Sequence, residues 1–130
     1  MTSPRDVEGF RDMTGDANPL HFDREAAERS PFGKLIVQGG VTSGLLNAVV
    51  AEDLPGPGTV FLEVNWRFVK AVGIGERIVA RVEVVSVRED KPICVLSTSV
   101  RDAAGEDCLV GTATTFTVGM GGPATSATQP

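Results

Sequence analysis

Asp16 and His21, the latter the only histidine of the chain, stand five positions apart in the segment Thr14-Gly15-Asp16-Ala17-Asn18-Pro19-Leu20-His21-Phe22-Asp23. A carboxylate and an imidazole that converge on one water molecule form a competent proton-transfer pair. Pro19 fixes its own φ and restricts Asn18 before it, so the segment is stiff where it has to aim both side chains. The bland alternative is an Asx-turn at Asp16 beside a surface histidine. Spacing alone does not separate the two.

A second chemical feature is Gly39-Gly40, just ahead of the apolar stretch Val41 to Leu54. Glycine lets a ligand approach the backbone closely. The N–H groups at a helix start can receive an oxygen on which charge develops. A plain tight connection is the ordinary alternative. Ser43 and Asn47 lie one turn apart in the same stretch. For them, packing or hydrogen bonding within the helix is the preferred reading over substrate contact. Cys94 and Cys108 match no metal-ligand spacing. Two reduced thiols in or near the core are expected, with no metal site and no cofactor.

These residues need elements to hold them. Ser3 as cap and Pro4 at the first helical position open a short helix to about Thr14. Asp23 caps a second, through Arg29. Val41 to Leu54 is apolar on most faces and predicts a helix enclosed by other structure. Pro55-Gly56-Pro57-Gly58 ends it. The rest predicts four strands: Thr59 to Lys70, Glu76 to Arg88, Ile93 to Arg101 and Cys108 to Val118. In the first, Val60, Leu62, Val64, Trp66 and Phe68 are expected on one face, with Glu63, Asn65 and Arg67 on the other. One domain over residues 1–118 follows, α+β, with an antiparallel sheet wrapped around one long buried helix. Residues 119–130 are rich in Gly, Pro, Ser and Thr and are expected to be a disordered tail.

Composition narrows the function. The chain has 130 residues and a net charge of −5, and no basic patch suggests nucleic acid. No apolar run approaches the ~18 residues of a membrane span. Met1 to Phe10 is charged rather than apolar. A cytoplasmic protein is expected. Sheet edges predict a homodimer.

The run from Met13 to Asp23, followed by Phe32-Gly33-Lys34-Leu35-Ile36-Val37-Gln38-Gly39, resembles the MaoC-like hot-dog hydratases and dehydratases. Their signature is a Ser/Thr-Gly-Asp-x-Asn-Pro-x-His-x-Asp loop, then a Phe-Gly segment and an Ile-Ala/Val-His-Gly-Met segment. The turn at Pro55 to Gly58 and Arg88-Glu89-Asp90-Lys91-Pro92 look like the (R)-specific enoyl-CoA hydratases. The resemblance covers about Val7 to Val118 and implies a hot-dog fold. It implies reversible hydration of a trans-2-enoyl thioester, on coenzyme A or on acyl carrier protein. By the same resemblance Asp16 is the base toward water and His21 holds that water and shares the proton transfer. The Gly39 N–H receives the thioester oxygen and Asn18 supports the loop. Gly40, Ser43 and Asn47 fall along the expected substrate side.

The chain departs from the pattern at Gln38, where the family has His, and at Gly40, where it has Met. It also reaches the first helix without the β-strand that precedes it in the family. That leaves a sheet one strand short, or an edge filled by a partner or by the tail. A hot-dog thioesterase and a non-catalytic acyl-binding subunit are the competing readings. The Asp-Asn-Pro-His loop speaks against the former, and the absent strand is the feature that favours the latter.

Overall fold

The computed structural model describes residues 1–118 and 126–129. Helix α1, Pro4–Thr14, starts with a capping box: the Asp6 N–H donates to Ser3 Oγ, and the Ser3 N–H donates back to the Asp6 carboxylate at 2.9 Å. Gly15 ends it at φ 83, a left-handed position that suits glycine. Two short helices follow, α2 over Pro19–Phe22 and α3 over Arg24–Arg29. Asp23 caps α3 as expected, whereas α2 was expected as loop. Pro19 sits at its first turn and Asn18 Oδ1 accepts from the Leu20 N–H, so the turn residues that mark a loop here nucleate one helical turn.

Helix α4 runs from Gly39 to Glu52. It begins two residues before the expected Val41, so both glycines belong to its first turn. Thr42, Leu46, Val49 and Val50 are its buried residues, a helical spacing that points one stripe into the sheet. Leu46, Val49 and Val50 pack in one core with Ala80, Val82, Leu96, Val100 and Leu109. Burying one such Leu or Val contributes about 1.5–3 kcal/mol, so this interface contributes substantially to the stability of the fold.

The strands are β1 Thr59–Phe68, β2 Ile78–Val87, β3 Ile93–Asp102, β4 Asp107–Thr117 and β5 Ser126–Gln129. All pairings are antiparallel, in the order β1-β4-β3-β2-β5. The sheet curls around α4, which is the α+β architecture expected from the sequence. β5 corrects the expectation of a wholly disordered tail: residues 126–129 pair with Ala80 to Glu83 on the outer edge of β2. An unpaired edge offers backbone hydrogen bonds to any extended segment within reach. The rest of the expected tail, residues 119–125 and 130, lies outside the described residues.

A bulge between Phe61 and Glu63 corrects the expected alternation of β1. One extra residue shifts every later side chain to the other face. Phe61 pairs with the buried Thr115, and beyond the bulge Val64, Trp66 and Phe68 pair with Ala113, Gly111 and Leu109. Phe61 and Trp66 therefore share the inner face, where their rings meet edge-on with centroids 5.8 Å apart. Val60 lies on the other face. Cys94 and Cys108 are both free, partly and fully buried, and burial pushes both thiols up.

Candidate active site

The loop between α1 and α2 is a relay of local hydrogen bonds. The Thr14 hydroxyl donates to Phe10 O at 2.7 Å and accepts from the Asp16 N–H at 3.1 Å. Asp16 Oδ1 accepts from the Asn18 N–H at 3.2 Å, and Asn18 Oδ1 accepts from the Leu20 N–H. Asp16 thus makes the Asx-turn of the bland reading, and its second carboxylate oxygen has no partner among the described residues. Asn18 thereby caps α2.

His21 is not a surface residue. Only 8% of it is exposed, and its Nδ1 lies 2.7 Å from the carbonyl oxygen of Ile36. A carbonyl can only accept, so Nδ1 carries the hydrogen. The neutral ring then presents Nε2 as a lone pair, the form a general base needs. No hydrogen bond or ion pair joins Asp16 to His21, so a water would have to connect them.

The Ile36 carbonyl belongs to an extended segment tied on both sides. The Ile36 N–H donates to Leu20 O, the Val37 N–H donates to Val72 O, and Ile36 bridges Gly73. This segment leads directly into Gln38, the cap residue of α4, and Gly39, its first residue. The first N–H groups of a helix have no partner within it and carry the positive end of its dipole. Gly39 is the first residue of α4, and its N–H is one of these groups.

Gly39 lines an apolar groove of about 230 Å³ with Phe32, Ile36, Thr42 and Phe68, and Lys70 is at its wall. A β-carbon on Gly39 would lie 3.2 Å from the Phe68 ring. His21 opens instead onto a neighbouring cavity of about 340 Å³, with Val7, Phe22 and Leu35. Ile36 therefore connects the two features: its carbonyl holds the imidazole, and the residue also lines the groove of Gly39.

Gly40 faces away from the groove, toward Phe10. Any β-carbon there would fall 2.1 Å from the ring, so Phe10 fills the place a longer side chain would take. Ser43 donates weakly to Gly40 O at 3.4 Å, the helix-internal bond that was the preferred reading. Asn47 is exposed. These two are not drawn to Asp16 or His21. Sequence reasoning missed Phe10, Ile36 and Phe68. Phe10 falls within the short helix expected from Ser3 to Thr14, and nothing in its position along that helix shows which glycine its ring meets. Among the described residues no group of three His, Cys, Asp or Glu side chains could hold a metal ion, and no helix is long and apolar enough to cross a membrane.

A sheet wrapped on one buried helix, with an Asp/His loop packed beside the helix start, defines a hot-dog hydratase-type domain. The MaoC like domain matches residues 1–104, and the chain belongs to that family. It is 34% identical to an (R)-specific enoyl-CoA hydratase of Aeromonas caviae over 108 residues, covering 83% of this chain and 81% of that protein. It is 42% identical over 85 residues to a 3-hydroxybutyryl-CoA dehydratase of Methylorubrum extorquens, covering 65% of this chain. The match spans about half, 54%, of that relative's length. Among solved structures, an (R)-hydratase from A. caviae involved in PHA biosynthesis superposes with a TM-score of 0.86 at 32% identity, covering 90% of this chain and 89% of that one.

Proposed function

We propose that the protein is a hydro-lyase that adds water reversibly across the double bond of a trans-2-enoyl-CoA thioester, giving the (R)-3-hydroxyacyl thioester. The observation that carries this reading is the buried His21, held through Nδ1 by the carbonyl of Ile36 three residues before Gly39 opens α4. The names of the relatives support the same chemistry.

In the hydration direction, water loses a proton to the Asp16/His21 pair as its oxygen bonds to the β-carbon. The electron pair of the double bond moves toward the thioester, and the oxygen that gains charge is received by the Gly39 N–H. The proton is then delivered to the α-carbon. The reverse sequence dehydrates a 3-hydroxyacyl thioester. The same residues would serve a 3-hydroxyacyl-carrier-protein dehydratase, and two relatives named as mitochondrial dehydratases of that kind support it as the second reading. Water, the acyl thioester and protein side chains suffice, so the reading calls for no metal or cofactor.

The working unit is read as a homodimer. On β1, an edge strand, Val60, Leu62, Val64 and Phe68 are 56%, 56%, 46% and 55% exposed. An edge with apolar side chains at this exposure favours pairing with a second copy.

The test is product identity. Crotonyl-CoA incubated with the protein is expected to give (R)-3-hydroxybutyryl-CoA, resolved on a chiral column after hydrolysis. The (S) isomer alone, or no hydroxyacyl product, would overturn the reading.

A further inference from the structure

Helix α1 grips both neighbours of Gly39. On one side Gln38, 1% exposed, sends its side chain away from α4 rather than capping it, and Nε2 donates to Val7 O at 3.0 Å. On the other side the Phe10 ring, one turn along α1 from Val7, presses on Gly40 so closely that a β-carbon there would meet it at 2.1 Å. The same helix places Arg11 over the Phe22 ring at 5.0 Å, next in sequence to His21.

The Oε1 of Gln38 is buried and has no hydrogen-bond partner among the described residues. A buried acceptor left unmatched is costly, so an apolar side chain of similar volume would hold this position better if packing were its only task. The carboxamide gives what an apolar side chain cannot: a directed bond from the residue before Gly39 to a rigid helix.

We propose that Gln38 is a positioning residue for the Gly39 N–H. Its bond to Val7 O fixes the peptide that carries this donor, and Phe10 on Gly40 fixes the peptide after it. The inference rests on the reading of Gly39 as the receiver of the thioester oxygen. Gln38 touches no substrate. It acts by setting the direction of a donor whose worth depends on alignment with the charge that develops in the transition state.

The experiment compares the wild type with Gln38→Leu, Gln38→His and Phe10→Leu on crotonyl-CoA, with kcat and KM determined separately, full pH–rate profiles and thermal melts. Losing an oxyanion donor outright costs on the order of 10²–10³ in rate, so misaligning one should cost about 10- to 100-fold. Gln38→Leu is expected to lose that much in kcat with KM nearly unchanged. The pH profile should keep its shape, because Asp16 and His21 are untouched. Gln38→His restores a donor toward Val7 O and is expected to recover most of the loss. Phe10→Leu is expected to repeat the kcat signature more weakly. Full kcat in Gln38→Leu overturns the proposal. So does a kcat loss that Gln38→His leaves uncorrected. If Gln38→Leu does not fold, Gln38→His and Phe10→Leu decide, and wild-type kcat in a folded Phe10→Leu overturns the proposal. Absence of hydration by the wild type would instead remove the functional reading beneath it.

Discussion

The imidazole of His21 donates from Nδ1 to the carbonyl of Ile36 at 2.7 Å, which fixes both its tautomer and its plane. With Nδ1 committed, Nε2 is the nitrogen left for the water of the proposed mechanism, and one Asp16 carboxylate oxygen has no partner among the described residues. His21→Ala and Asp16→Asn are each expected to lower kcat by roughly 10²–10⁴-fold, the range for a general acid–base group. Melting temperatures should change little for Asp16→Asn, because Oδ1 and its Asx-turn survive. Near-full turnover in either folded variant would contradict the assignment.

Gly39 and Gly40 answer differently to the same substitution. Gly39 has no positive φ, so alanine there acts by crowding the Phe68 ring and the groove, not by backbone strain. Gly39→Ala is expected to cost up to about 10²–10³ in rate with a nearly normal melt. Gly40→Ala drives a methyl group into Phe10, and its defect is expected mainly in stability. Adding Phe10→Leu should make room and recover part of that loss. Such recovery in a double-mutant cycle is the signature of direct contact. Strict additivity of the two changes would argue against it.

The β1 edge offers a test of assembly that leaves the groove alone. Leu62, at the bulge, and Val60 are each 56% exposed and neither lines the Gly39 groove. Leu62→Lys or Val60→Lys is expected to shift a dimer toward monomer by light scattering at micromolar concentration. A wild type that is itself monomeric there would refute the homodimer.

Lys70 binds Asp102 at 2.6 Å and also pairs with Glu106, joining the end of β1 to the β3–β4 turn beside the groove. The hydrogen bond from Lys70 holds the Asp102 carboxyl below the usual range, and the two carboxylates hold the Lys70 ammonium above its own. A lowered carboxyl stabilises the fold above its unfolded value, about 3.9, and that contribution is lost as pH falls through the folded value. A raised ammonium stabilises below about 10.4 and loses its contribution as pH rises through the folded value. Lys70→Met should therefore melt below the wild type across the neutral range, with the gap closing at both extremes. A gap independent of pH would mean that packing, not charge, sets the difference.

Much of this was legible in the sequence. The buried helix, the four long strands and the Asp16/His21 loop follow from hydrophobic period and turn chemistry, which are local. The bulge at Leu62 was not, because a single inserted residue leaves the apparent alternation of Val60 to Phe68 intact while reversing its faces. The short helix around His21 was hidden because Asn18 and Pro19 serve equally as loop and as helix start. The pairing of 126–129 with β2 depends on a free edge distant in sequence. The grip of Val7 and Phe10 on either side of Gly39 is likewise a matter of long-range packing that no spacing along the chain reveals.

The most direct test of the central claim follows the absorbance of the enoyl-thioester band of crotonyl-CoA while free thiol is assayed in parallel. Hydration removes the conjugated double bond and leaves the thioester whole. The expected result is loss of the band with no thiol released, slowed roughly 10²–10⁴-fold in His21→Ala. Release of free thiol would make the protein a thioesterase. An unchanged spectrum with crotonyl-CoA and with the corresponding carrier-protein thioester would contradict the account.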